Sequence, residues 1–229
     1  MKNIYTKEQY FNEHVSLDNV KLNGNFWKWF GDSKVIGKMY NPLVCYHGTP
    51  NGGFAEFSPK IGQMTKSKQQ VDLGSHFSID KDYARRYAIG RKAPKIYEVF
   101  LRIENPLHTN KMFYKEDDEQ EFNMVFEFVT KFFNIRVSGD VYYNKIGEKQ
   151  NEPQCIMLNS FMIDDIPPNK LYNGLLEFGF DGVFHEPYNR VDMYQFKKHP
   201  PAYIILEPNQ VKSIENDGSW DINDNNIYS

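Results

Sequence analysis

The chain has 229 residues, 40% hydrophobic and 16% aromatic, the make-up of a globular protein with room for one substantial core or two small ones. Its 27 lysines and arginines against 30 acidic residues give a net charge of −3, which excludes a whole-molecule attraction to nucleic acid or an anionic membrane. Cys45 and Cys155 stand far apart, outside any CxxC or His/Cys cluster, which argues against a structural zinc and for a reducing cytoplasm.

The opening MKNIYTKEQYFNEHV has neither an apolar core nor a small-residue cleavage site, and no run approaches the roughly 20 apolar residues of a membrane span. A soluble chain, not secreted by the usual route, is therefore expected. Residues 6 to 15 fit a short helix. FWKWFGDSK (26 to 34) sets Phe26, Trp29 and Phe30 on one helical face before Gly31 stops it, as in an amphipathic cap on a core. PLVCYHGT reads as a buried strand, apolar on both faces, that leaves through a polar triplet. GSHFSIDKDYARRYAIG (74 to 90) reads as a short strand, a turn, and a helix capped by Ser78 or Asp80 with Tyr83 and Tyr87 at i, i+4. KIYEVFLRIENPL (95 to 107) alternates as a half-buried strand and is expected to end at Asn105-Pro106.

From 108 to 160 the pattern changes to an acidic start and apolar residues at helical spacing, an inserted helical element with Phe122, Phe126, Phe128, Phe132 and Phe133 as its core. NKLYNGLLEFGF is a helix stopped by Gly179; DGVFHE and AYIILEP are strands. The stretch from 214, IENDGSWDINDNNIYS, is polar, and its end is expected to be disordered. Short strands mixed in order with a few helices favour an α+β domain over a doubly wound sheet.

Within this frame two groups of residues suggest a cleft. His47-Gly48-Thr49 closes one strand, and GSHFS leads to a helix with a tyrosine eleven residues after the histidine. A glycine at 48 admits close approach to the backbone, His47 can hydrogen-bond a hydroxyl, and Tyr87 offers a flat face to a planar ring. Taken singly each has a structural explanation: a strand-end histidine, a core histidine at 76, tyrosines packed at helical spacing.

WFGDSKVIGKMYNPLVCYHGTPNGGFAEFSPKIG, GSHFSIDKDYARRYA, KIYEVFLRIENPL, FDGVFHEP and YIILEPNQVKS together resemble, in order, the NAD-dependent ADP-ribosyltransferases of the diphtheria-toxin and poly(ADP-ribose)-polymerase-like branch, closest to the domains of phage and mobile-element polyvalent proteins. The resemblance spans 26 to 107 and 177 to 214. It implies a split β-sheet core with an NAD cleft, a helical cap at 1–40, the transferase domain at 41–214 with a helical insertion at about 108–176, and a polar tail at 215–229. It implies NAD as substrate, and a macromolecular acceptor. By the resemblance, His47 bonds the adenosine ribose, the Gly48 backbone holds the nicotinamide carboxamide, Tyr87 stacks on nicotinamide, and Thr49 and Ser78 complete the cofactor site. His76 stands where many members have a tyrosine and the RNA 2′-phosphotransferase branch has a histidine.

One position departs. The family's catalytic glutamate begins the strand that here reads AYIILEPNQVKS, so Ala202 takes its place. That carboxylate ordinarily holds a ribose hydroxyl while positive charge develops on the sugar. Glu186, Asp192, Gln195 and Glu207 are the candidates to replace it, Glu186 and Asp192 foremost. The loop from 186 to 201, which the family uses to recognise the acceptor, interleaves Arg190, Lys197, Lys198 and His199 with Tyr188, Tyr194 and Phe196. Arg190, Tyr194, Gln195, Lys197 and Lys198 are thus the acceptor-binding candidates, in a composition that suits RNA and equally a protein surface. Gln210 is read as structural. The implied function is a mono-ADP-ribosyltransferase toxin or effector of phage or bacterial conflict, cytoplasmic, with RNA ahead of protein as acceptor and an antitoxin protein as a further partner. A 2′-phosphotransferase-like enzyme, an NAD glycohydrolase and an inactive NAD-binding module stand as alternatives.

Overall fold

A computed structural model of the chain describes residues 20, 22–37, 40–58, 74–90, 93–133, 142–143, 149–150, 155–158, 166–186, 191–192, 195–196 and 200–229. Residues 6 to 15 lie outside the described residues. The first helix, α1 (Gly24–Phe30), begins where the Asn23 side chain accepts from the backbone amides of Asn25 and Phe26, and it stops at Gly31, whose φ of 54° a glycine adopts freely. As its spacing predicts, Phe26, Trp29 and Phe30 are buried together, packed on Phe100 and Trp220.

Seven strands form one sheet: β1 (Cys45–Thr49), β2 (Ser75–Ser78), β3 (Lys95–Leu101), β4 (Pro106–Thr109), β9 (Gly182–His185), β12 (Ala202–Ile205) and β13 (Val211–Ser213). Their order is β13-β3-β1-β2-β12-β9-β4, antiparallel throughout except for the β4–β9 pair. Asn105-Pro106 does separate two strands, but Pro106 then opens β4, the first position of a strand being one where a missing amide does no harm. The PLVCYHGT strand is shorter than expected and only half-buried past Cys45.

Helix α2 (Lys81–Arg85) follows β2 and is capped by Asp80, whose carboxylate accepts from the Tyr83 amide at 2.9 Å. The helix ends at Arg85, so Tyr87 sits in the turn beyond it. Strand β5 (Met112–Tyr114) pairs with β8 (Cys155–Met157), and β6 (Tyr142–Tyr143) pairs antiparallel with β7 (Lys149–Gln150) in a separate short ladder. Helices α3 (Glu119–Phe133) and α4 (Pro168–Glu177) cover one sheet face, where Phe122, Val125, Phe128, Leu171 and Leu175 share a core with Leu107, Val183 and Ile204. The region expected as a helical insertion therefore also contributes strands, and its helices build the main core. The other face carries Cys45, Phe77, Tyr97, Val99, Tyr203 and Ile205, closed by Phe57 and Ile227.

The expected disorder of the tail is not what the structure shows. Trp220 and Ile227 are buried, the Ile227 amide donates to the Ala55 carbonyl at 2.8 Å, and its carbonyl accepts from Ser213. Around them, Asn216, Asp217, Asp221, Asp224 and Asn226 each accept from the amide two residues on, so the polar residues fold the segment by local turns instead of leaving it solvated. Buried Lys212 donates to the carbonyls of Asp224 and Asn226, both at 2.9 Å. Gln210 is structural, as its sequence context suggests. Its side-chain oxygen accepts from the amides of Leu206 and Glu207, and its side-chain nitrogen donates to the carbonyls of Arg102 and Asp181.

Candidate active site where the sheet opens

Strand β1 pairs with β3 along its whole length, from Cys45↔Val99 to Thr49↔Lys95, but with β2 only at Tyr46↔Ser78. From His47 to Thr49 the backbone thus has a strand partner on one side only, an open edge of donors and acceptors. The His47 ring spans the opening: its Nδ1 lies 2.8 Å from the His76 carbonyl, and the ring packs against Phe57 and Phe77 at centroid distances of 5.0 and 5.4 Å. A carbonyl only accepts, so Nδ1 carries the proton. Burial lowers the pKa of the ring against the opposing help of that bond, which keeps it neutral and leaves Nε2 as an acceptor suited to a hydroxyl.

Gly48 is required, though for a different neighbour from the ligand that sequence reasoning supposed. A Cβ there would lie 1.8 Å from the Ala84 carbonyl oxygen and 3.3 Å from the Ala88 nitrogen, so the end of α2 and the turn after it rest directly on this glycine. That contact brings the Tyr87 turn to the open edge of β1. Tyr87 is 54% exposed, and its hydroxyl donates to that of Tyr83 at 3.1 Å, with the two rings 5.6 Å apart. Thr49 and Ser78 hold turns, their hydroxyl oxygens accepting from the amides of Asn51 and Asp80.

Cross-strand register sorts the remaining candidates by face, since directly opposed residues project to the same side. Tyr46, Ser78, Ala202, His185 and Thr109 form one row, and His76 follows on the same face, opposite Ile204. Nδ1 of His185 lies 2.7 Å from the Thr109 hydroxyl. Burial pushes His185 down to about 4; burial, with His185 and His47 nearby, pushes His76 down to about 4 as well. His76 keeps solvent contact, which works against that shift.

The candidate carboxylates fall elsewhere. Glu186 follows His185 at the end of β9 with its side chain on the face opposite that of Ala202, where it is bound to His108 at 3.2 Å beside Phe184 and Tyr203. Burial, with Glu186 close by, raises the Tyr203 phenol. Glu207 lies five residues beyond Ala202, ~16 Å along the strand, where it accepts from the Tyr172 hydroxyl and forms a capping box with Gln210. Asp192, in β10 (Val191–Asp192), pairs antiparallel with Gln195 of β11 (Gln195–Phe196). Arg190, Tyr194, Lys197 and Lys198 lie outside the described residues. The structure thus sets His47, its ring on the Cys45 face, beside Gly48, Thr49, His76, Ser78 and the Tyr87 turn, and engages Glu186 with His108 and Glu207 with Tyr172. It adds His185, which no sequence signal marked, because only the β9–β12 register puts it next to Ala202. A cavity of about 420 Å³ between β4 and α3, lined by Leu107, His108, Asp118, Glu121 and Met124 among others, lies toward the far sheet edge from this site.

A mostly antiparallel α+β sheet that opens beside a His-Gly-Thr strand end is compatible with an ADP-ribosyltransferase fold. The family model described as the ADP-ribosyltransferase in polyvalent proteins matches residues 40–221, and the chain belongs to that family. At the family level this means ADP-ribosyl transfer with NAD as the donor. No curated protein and no solved structure matches the chain. No helix among the described residues is long and apolar enough to cross a membrane.

Proposed function

We propose that the chain is an NAD-dependent mono-ADP-ribosyltransferase, a toxin or effector that releases nicotinamide and joins ADP-ribose to a macromolecule, with RNA as the acceptor. The observation that carries this reading is the His47 ring held by the His76 carbonyl at the open edge of β1. Its Nε2, which no described residue engages, suits a ribose hydroxyl, the backbone edge at Gly48 suits a carboxamide, and exposed Tyr87 suits a planar ring. In the reaction the bond between the nicotinamide nitrogen and ribose C1′ breaks, and its electron pair leaves with nicotinamide. An acceptor oxygen or nitrogen bonds C1′, losing its proton to water. The basic and aromatic residues of the 186–201 loop supply the argument for RNA.

Ala202 supports a second reading, an NAD-binding module without catalysis. Calorimetric titration with NAD tests the shared premise. His47→Ala is expected to weaken binding about tenfold to a hundredfold, ~1 to 3 kcal/mol for a lost hydrogen bond in a protected site. A folded variant with wild-type affinity contradicts the assignment of the cleft.

A further inference from the structure

Replacing the family's glutamate by Ala202 leaves a small side chain in the middle of a polar row. On one side of Ala202 is Ser78, buried, with its oxygen already accepting from the Asp80 amide. On the other side is His185. Cβ atoms of such opposed pairs stand ~4.5 to 5.5 Å apart and point to the same face. An imidazole at 185 can therefore reach into the space that a longer side chain at 202 would fill. The ring is oriented from behind: Nδ1 meets the Thr109 hydroxyl at 2.7 Å, and Thr109 is fully buried on β4. Nε2 has no hydrogen-bond partner among the described residues. The nearby carboxylate, Glu186, is held by His108 on the other face of the sheet.

We propose that His185, through Nε2, hydrogen-bonds the nicotinamide-ribose hydroxyl that a carboxylate at position 202 would hold, with Thr109 as its positioning residue. The inference rests on the NAD-dependent reading above. Its chemistry is milder than the family's. The hydroxyl keeps its proton while sharing it with the ring, the C1′–N bond breaks as before, and a neutral dipole takes the place of a full negative charge beside the developing positive sugar. The burial that keeps His185 neutral serves this role, because an imidazolium would repel that sugar. The prediction is a slow enzyme that an added carboxylate accelerates.

The test compares nicotinamide release and NAD affinity in the full chain and its variants. His185→Ala should lower kcat by about ten- to a hundredfold while NAD affinity stays within about threefold, the signature of a contact that matters in the transition state. His185→Gln, which keeps bulk and a hydrogen-bonding group, should retain part of the activity and serves if the alanine variant does not fold. Ala202→Glu should raise release in the wild type and restore it in the His185→Ala background. Thr109→Val should lower kcat without changing KM, and Thr109→Ser should recover it. Wild-type release rates in folded His185→Ala, or no rescue by Ala202→Glu, would overturn the proposal while leaving the NAD-dependent reading intact. A wild type that binds no NAD, or binds it and never releases nicotinamide, overturns the enzymatic reading and this inference with it.

Discussion

Gly48→Ala is the substitution whose outcome the geometry fixes most tightly. The added methyl would begin 1.8 Å from the Ala84 carbonyl oxygen, whereas ordinary contact begins near 3.4 Å, so the end of α2 must retreat by about 1.6 Å or β1 must bend. Neither partner is a flexible side chain. Strand β1 is central in the sheet, and α2 is pinned at its start by the Asp80 cap and by Lys81, whose ammonium lies 2.5 Å from Glu98. Overpacking of this kind costs ~1 to 3 kcal/mol, and a clash of backbone with backbone belongs at the upper end. For a domain of this size ~3 kcal/mol corresponds to a Tm lower by roughly 6 to 12 °C. The retreat also carries the Tyr87 turn away from β1, so NAD affinity should fall with stability. Gly174→Ala supplies the contrast: its Cβ would meet the Phe132 ring at 2.4 Å, but a ring on a partly buried side chain can swing aside, and a helix gains up to about 1 kcal/mol by losing a glycine. Scanning calorimetry with NAD titration reads both variants. A Gly48→Ala protein that melts within about a degree of wild type and binds NAD equally well would refute the close packing of α2 on β1.

Gln210→Leu removes the partner of four backbone groups at once and should lower stability by ~3 kcal/mol or more, leaving the NAD affinity of the remaining folded protein unchanged; a denaturant titration with little change in midpoint would contradict this. Lys212→Ala should expose the amides of Ile227 and Tyr228 to faster hydrogen exchange, because the carbonyls of Asp224 and Asn226 lose their donor; unchanged protection would show that the segment is held by other contacts. His185 has a folded pKa near 4, below the value of about 6.5 in an unfolded chain, so the unfolded state binds more protons between those limits. Its contribution is complete above pH 6.5 and is lost as pH falls toward 4, with no further loss below. The melting temperature of wild type relative to that of His185→Gln should fall as pH drops across that window; a difference that does not change with pH would contradict a neutral His185.

Local chemistry made much of the fold legible in the sequence. The Phe26, Trp29, Phe30 stripe, the Asp80 cap and the Gly179 stop are decided within a few residues, and the chain realises all of them. Pairing between distant segments was not legible. Nothing near position 106 announces that it starts a parallel edge strand beside β9, and no spacing reveals that Ala202 lies between Ser78 and His185. The tail misled because its composition is that of a solvated segment; the same Asp and Asn residues make turns that deliver Trp220 and Ile227 to the core. At the candidate site, the motifs paired the His47 strand end with the segment that carries Tyr87, but they set Tyr87 on the helix, whereas the helix ends at Arg85 and Tyr87 stands in the turn beyond. The real neighbour of Gly48 was not, because a glycine packed under a helix and a glycine under a ligand read alike.

In the proposed function this cleft splits NAD and passes ADP-ribose to a macromolecule. Incubating the full chain with NAD labelled in its adenylate half and a cell lysate, with nicotinamide followed in parallel, tests it directly. Nicotinamide release is expected together with label in a macromolecular fraction that nuclease removes and protease does not. Label removed by protease alone would contradict the RNA acceptor, and NAD that is bound but never cleaved, in lysate or buffer, would contradict that function itself.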